Sequence, residues 1–255
     1  MQVKTDYSNQ ARRRFLRNLG LLGAVSLVST HTLIEVSASA QSNGVESGGA
    51  SSGKRWGLLI DTAKCSAGCD ACVSGCNDEH GLDSTGNDET RAQWIRKIDL
   101  KDNLTGNASS LPVMCQHCDS APCVDVCPTG ASFKRDDGIV LVNKHTCIGC
   151  RYCVMACPYK ARSFIHEALT GQKPEAPRGK GTVESCTLCV HRVDATAGSQ
   201  QPACAEACSK DAHDAIVFGD LNDPDSAISK ALAASNATAI RSDLDLNTGV
   251  RYTSI

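Results

Sequence analysis

The residues with chemistry to offer are cysteines, and their spacing is regular. Cys147-Ile-Gly-Cys150-Arg-Tyr-Cys153-Val-Met-Ala-Cys157-Pro158 reads C-x2-C-x2-C-x3-C-P. Thiolates are soft ligands, and this run is the one by which three sulfurs hold one [4Fe–4S] cluster while the fourth reaches to another. A second group reads Cys115-x2-Cys118-x4-Cys123-x3-Cys127-Pro128. The first group in the chain, Cys65-x3-Cys69-x2-Cys72-x3-Cys76, has one extra residue in its first gap and Asn77 where the others have proline. The last is split, Cys186-x2-Cys189 and, after 14 residues, Cys204-x3-Cys208. Together they use all 16 cysteines of the 255-residue chain, which divide into four sets of four.

The spacing has a physical logic. Short gaps let one loop wrap three irons with its backbone N–H groups toward the sulfurs. The fourth cysteine, three residues on, starts a helix and points away, so it serves a neighbouring cluster. Pro128 and Pro158 fix the turn after that step and have no N–H to satisfy. In the inner pair, Cys115, Cys118 and Cys123 are expected to share a cluster with Cys157, and Cys147, Cys150 and Cys153 with Cys127. Symmetry and counting then put Cys65, Cys69 and Cys72 with Cys208, and Cys186, Cys189 and Cys204 with Cys76. Disulfides would suit an exported chain, although such frameworks belong mostly to small domains. Zinc explains C-x2-C pairs but not the whole run. A mixed case stays open for the first and fourth groups: one site holding [3Fe–4S], or one irregular group holding nothing.

Other polar residues carry weaker signals. His117 sits between Cys115 and Cys118; it is either a donor to a sulfur or, by default, a surface loop histidine. Arg151, Lys160 and Arg162 lie near the cysteine groups, with tuning or docking set against the default of solvated charges. His80 and His191 lack the spacing of a metal site. There is no nucleophile elbow, Rossmann glycine pattern or P-loop, so neither a catalytic residue nor a small-molecule substrate of its own can be argued. A formal charge of −2 gives no reason to expect a nucleic-acid partner.

The elements that must position these cysteines are slight. Four Phe, four Tyr and two Trp make a thin ordinary core, and such a chain needs an internal staple. Residues 55–60 form a strand candidate leading into the first group. Trp94-Ile95 and Ile98 mark another, with a turn at 103–107 and a polar stretch to about 110. Residues 131–134 and 139–142 around Arg135-Asp-Asp-Gly138 read as a hairpin. Strands are also expected at 162–166 and 215–218, and a solvated loop at 171–181. Asp223-Pro224 should cap a helix to about Ala234, followed by an irregular polar tail.

The beginning of the chain reads as a leader. Arg12 and Arg13, in Arg12-Arg13-Arg14-Phe15-Leu16-Arg17, resemble the twin-arginine export motif. A mildly apolar run follows at 19–28, then Ala38-Ser39-Ala40, an A-x-A cleavage site. The apolar run is too short to span a bilayer. The expected organisation is a signal peptide at 1–40, a flexible Ser/Gly-rich linker at 41–54, a cysteine domain at 55–222 and a C-terminal helix and tail at 223–255.

Over residues 55–222 the four groups are similar to the electron-transfer subunits of molybdopterin oxidoreductases (the polysulfide, dimethyl sulfoxide and nitrate reductase families) and to the nitrite-reduction ferredoxin NrfC. More narrowly, the exported start, Arg55-Trp-Gly-Leu-Leu-Ile-Asp61, the x3 gap after Cys65, Cys115-Gln-His-Cys-Asp-Ser-Ala-Pro-Cys123 and Phe218-Gly-Asp-Leu-Asn-Asp-Pro224 resemble the DsrO-type periplasmic ferredoxin subunits of sulfur-metabolising bacteria. Ser209, where Cys-Pro is usual, and residues 210–214 depart from the pattern. The resemblance implies an α+β fold of two nested bacterial-ferredoxin-like modules with short strands, short helices and long loops. The inner module would span about 111–166, and the outer about 55–110 plus 182–222. It implies four [4Fe–4S] clusters, and an electron-transfer subunit rather than an enzyme in its own right. The implied partners are an NrfD-like quinone-interacting membrane subunit and a periplasmic multihaem cytochrome. The implied location is the periplasm, bound peripherally to a membrane complex.

Overall fold

Trp56-Gly-Leu-Leu-Ile-Asp61 is apolar on both faces, which suits a strand covered on both sides. It forms β1 (Trp56–Asp61), with Leu58 and Ile60 fully buried. The computed structural model describes residues 50–66, 68–82, 90–101, 103–104, 106, 108–170, 172–211 and 213–255. Arg12, Arg13, the leader expected at 1–40 and all but the last five residues of the linker expected at 41–54 lie outside them. The fold of the described residues is mixed α and β: short helices, small sheets and cysteine-rich loops.

β1 is the middle strand of a three-stranded sheet, between β8 (Ile216–Asp220), antiparallel to it, and β9 (Val250–Thr253), parallel to it. Leu58 stands opposite Phe218 on one side and Val250 on the other. The Trp56 ring stacks on Phe218 with centroids 5.3 Å apart. The tail after the helix was expected to be irregular; instead it supplies β9. Tyr252 is fully buried there, donating to Pro112 O and accepting from Gln116 Nε2, each at 3.0 Å.

Among the described residues three two-stranded ribbons complete the β structure. β2 (Ile95–Lys101) and β3 (Ala108–Met114) pair antiparallel. β3 falls partly in the stretch expected to be polar, and it tolerates Pro112 because an edge strand spares one N–H. β4 (Ser132–Lys134) and β5 (Val140–Val142) form the expected hairpin, turning at Gly138 with φ +85°. β6 (Ser163–Phe164) and β7 (Val183–Glu184) are two residues each.

The α-helices among the described residues are α1 (Ala71–His80), α2 (Pro122–Asp125), α3 (Tyr152–Ala156), α4 (Val190–Thr196), α5 (Ala203–Lys210) and α6 (Ala227–Ala233). α6 starts later than expected: Ser226, not Asp223, is its cap, its hydroxyl accepting from Ser229 N at 3.2 Å. The loop expected at 171–181 is mostly exposed over its described residues 172–181, with one charged exception. Arg178 is buried, gripping Glu184 with two N–H donors at 2.8 and 2.9 Å and donating to Gly81 O at the end of α1. Among the described residues no helix is long and apolar enough to cross a membrane.

Candidate metal centres

Each cysteine group enters from a strand or short turn and runs into a helix. After β1, the Asp61 carboxylate accepts from Ala63 N and caps a 3-10 turn, Thr62–Lys64, that delivers Cys65. β3, β5 and β7 precede the other three groups. In every group the residue just before the second cysteine is left-handed: Gly68 (φ +80°), His117 (+44°), Gly149 (+69°) and Leu188 (+55°). Successive backbone N–H groups around such a residue form a concave nest for negative charge. Only the two glycines advertise this in the sequence. A Cβ at Gly149 would strike the Gly181 carbonyl, so that position has no alternative.

Proline decides how each group ends. A residue before proline avoids the helical region, and Cys157 is extended (φ −75°, ψ 111°), ending α3. Where proline is missing the helix continues. Asn77 lets α1 run from Ala71 to His80, and Ser209 lets α5 run from Ala203 to Lys210. Each long helix thus carries two cysteines one turn apart, Cys72 and Cys76 on α1 and Cys204 and Cys208 on α5, all four buried. The two helices touch at Gly75, where an added Cβ would lie 2.6 Å from Ala207 Cβ and 3.0 Å from Ala203 O.

The thiols gather in sets. Cys65, Cys69, Cys72 and Cys208 line one cavity, with Lys97 beside them. Cys127, Cys147, Cys150 and Cys153 line another. Burial pushes Cys76 up, and Cys186, Cys204 and Cys189 push it further. Burial pushes Cys118 up to about 12, with Cys115, Cys123 and Cys157 adding to it. Neighbouring sets also feel one another: Cys72 acts on Cys204, Cys115 on Cys186, and Cys153 on Cys123. Cys150 is exposed, Cys65, Cys69, Cys127, Cys147 and Cys157 are half-buried, and the other ten thiols are buried.

Donors converge on the sulfurs. Backbone N–H groups of Ser132, Ala161, Val183 and Ala215 donate to Cys127, Cys157, Cys147 and Cys208 at 3.3–3.4 Å. Leu188 N and Ala203 N do the same for Cys186 and Cys189, both at 3.4 Å. At Cys127 burial is outweighed by donors from Ser132, Thr129 and Ala131, so its thiol lies below the ordinary range. Elsewhere burial dominates: Cys115 rises to about 12 and Cys72 and Cys189 to about 11.

These sites fit iron–sulfur clusters. All 16 cysteines are free thiols, and among the described residues no three or more His, Cys, Asp or Glu side chains close on a point as they would around a single ion. Eight of the thiols surround two cavities instead. Thiols so deeply buried become thiolates only beside a compensating positive charge, which cluster iron supplies. Several buried polar atoms also lack partners among the described residues, including His117 Nε2, Tyr159 Oη and Arg162 Nη1.

Three polar residues differ from their expected surface placement or lack of a role. His117 is buried, its Nδ1 accepting from Val140 N at 3.1 Å. His80 is buried with Nε2 3.4 Å from Cys189 Sγ and its ring over Trp94. Arg162 is buried with Nη2 on Cys123 Sγ; its place at the start of a strand candidate close behind Cys157 was the one available signal. Arg151 and Lys160 are exposed, as solvated charges should be.

Residues 107–220 match the 4Fe–4S dicluster domain family. Over 223 residues the chain is 38% identical to the Hdr-like menaquinol oxidoreductase iron–sulfur subunit 1 of Archaeoglobus fulgidus, covering 78% of this chain and 83% of that one. The chain belongs to the dicluster iron–sulfur subunit family. Within that family it is also 35% identical to a subunit of the tetrathionate reductase of Salmonella typhimurium, over 88% of this chain and 79% of that one. It is 37% identical to the protein NrfC of Escherichia coli, over 87% and 85%. As a member of the dicluster family the chain carries [4Fe–4S] clusters, and relatives of this kind are iron–sulfur subunits of larger complexes.

Proposed function

We propose that this chain is an exported electron-transfer subunit with four [4Fe–4S] clusters in two nested modules. It relays electrons between an NrfD-like quinone-interacting membrane subunit and a periplasmic multihaem cytochrome, in a Dsr-type complex of sulfur metabolism. The ligand sets are Cys65, Cys69, Cys72 and Cys208; Cys76, Cys186, Cys189 and Cys204; Cys115, Cys118, Cys123 and Cys157; and Cys127, Cys147, Cys150 and Cys153. The observation that carries this reading is the exchange of final cysteines: Cys208 lines the cavity of the first group, and Cys127 that of the third. The leader with Arg12 and Arg13 is the export signal for the periplasm.

Bound clusters supply one-electron transfer between neighbours. The influence of Cys72 on Cys204, of Cys115 on Cys186 and of Cys153 on Cys123 supports a row of sets in the order just given. The chain's own residues fix the thiols, turn N–H groups toward them, bury the middle two sets except for half-buried Cys157 and leave the ends reachable. The end at Cys150 is flanked by exposed Ile148, Tyr152 and Met155, an apolar face suited to a membrane partner. The other end, beside Lys64 and Lys97, is left for the soluble partner.

Similarity to a menaquinol oxidoreductase subunit supports the quinone-linked assignment. Similarity to a tetrathionate reductase subunit favours a second reading, the same relay serving a separate reductase subunit. Anaerobic purification of the membrane complex with its partners separates them. About sixteen iron and sixteen sulfide per chain are expected, with a quinone-interacting subunit and a cytochrome. A molybdenum-bearing large subunit would replace the Dsr assignment, and a chain with no iron and eight disulfides would end the cluster reading.

A further inference from the structure

Three buried arginines can be compared. Arg135 is held by a two-pronged contact to Asp194 at 2.7 and 2.8 Å and by Asp137. Arg178 grips Glu184 in the same way. Arg162, 5% exposed, has only sulfur: Nη2 donates to Cys123 Sγ at 3.0 Å, and Nη1 is buried without a partner among the described residues. The negative groups that act on it are Cys123, Cys115 and Cys153.

A guanidinium does not give up its proton in a protein. A buried cation must therefore find an anion, or its burial is strongly unfavourable. Here the anion has to come from the thiols, which carry charge when they are metal-bound. Those thiols belong to two different sets, Cys115 and Cys123 to one and Cys153 to the next.

We propose that Arg162 is a positioning residue shared by the two inner clusters, one guanidinium that raises the reduction potentials of both. Reduction adds negative charge to a cluster, and a fixed cation beside its thiolates favours that state. Hydrogen bonds to sulfur and local charge are the levers by which a protein sets such potentials. Because the cation lies between the two sets, it acts on neighbours in the row together and keeps the step between them shallow. The inference rests on the four-cluster reading.

The test is a redox titration of the full chain, followed by the electron paramagnetic resonance of each couple, in R162Q and R162K. R162Q removes the charge and keeps an N–H donor. It should lower two of the four couples by about tenfold or more in the reduction equilibrium, which is 59 mV for one electron, and leave the other two in place. R162K should stay near the unmodified values. Loss of both inner clusters in R162Q with full iron in R162K also supports the role, since only a shared charge would remove both. Unchanged couples in R162Q, a shift confined to one couple, an equal shift of all four, or the same loss of iron in R162K overturns it. If the unmodified chain holds far fewer than about sixteen iron atoms, the four-cluster reading fails instead.

Discussion

Gly75 is the point where α1 and α5 meet, and its replacement has a calculable effect. An added Cβ would lie 2.6 Å from Ala207 Cβ and 3.0 Å from Ala203 O. Carbon atoms rest about 3.5–4.0 Å apart, so the helices must part by roughly 1 Å. Replacing glycine inside a helix gains about 0.5–1 kcal/mol from the backbone, while overpacking costs about 1–3 kcal/mol. The balance for Gly75→Ala is a loss of up to about 2.5 kcal/mol, or up to about 10 °C in melting temperature. The displacement also has an address. Cys72, Cys76, Cys204 and Cys208 ride on these two helices, so on the proposed ligand sets the strain falls on the two sites of the outer module. Gly75→Val, with a larger side chain, is expected to lose about half of the iron, the inner sites staying filled. Anaerobic iron and sulfide counts, with melting followed by the visible absorbance of the clusters, measure both effects. Removing the opposing methyl group in a G75A/A207G double variant should restore the melting temperature, the coupling expected of residues in contact. Full iron and an unchanged melt in Gly75→Val, or no recovery in the double variant, would refute the idea that this crossing sets the outer sites.

Two further outcomes follow from other contacts. Hydrogen bonding to Arg192, reinforced by His191, holds the Glu79 carboxyl down to about 2 from an ordinary 4.5. A lowered folded-state value stabilises above the unfolded value and is lost as pH falls through the folded one. Glu79→Gln should therefore cost up to about 3 kcal/mol at neutral pH, with the gap to the unmodified protein constant down to about pH 5 and roughly halved by about pH 3.3; a gap that persists unchanged in acid would contradict this. Tyr252→Phe leaves the Pro112 carbonyl without its donor and should cost about 1–2 kcal/mol, lowering the melting temperature and speeding amide exchange in β1, and unperturbed exchange would show that β9 contributes little there.

The first three cysteine groups were legible in the sequence because each is local: loop, thiols and helix start all lie within about a dozen residues, while the fourth, split between Cys189 and Cys204, showed only as two half-groups. So were β1, β2, β8 and the Asp-Asp-Gly hairpin, where apolar runs meet turn residues. Contacts between distant segments were hidden. Val250-Arg-Tyr-Thr253 is too short and mixed to announce a strand, and only its pairing with β1 makes it one. The burial of His117 and Arg162 was equally hidden, since both residue types usually face water and the groups that enclose them come from far along the chain. The absence of proline after Cys76 and Cys208 was visible from the start. Its meaning was not: it lets two helices lengthen until they can cross.

β1 has a consequence for the order in which the molecule can be made. It leaves the ribosome well before either of its neighbours in the sheet. The Thr62 hydroxyl, just past its end, donates to the carbonyl of Thr253, 191 positions later. Closing so long a loop carries an entropic cost before any contact repays it, and folds ruled by such contacts form slowly. The Cys65 cavity, which also needs Cys208, thus stays open until most of these residues have been made. Loading of the cluster proposed for that end would wait for them, and a chain released before Val250 is added keeps a first strand with one unpaired edge.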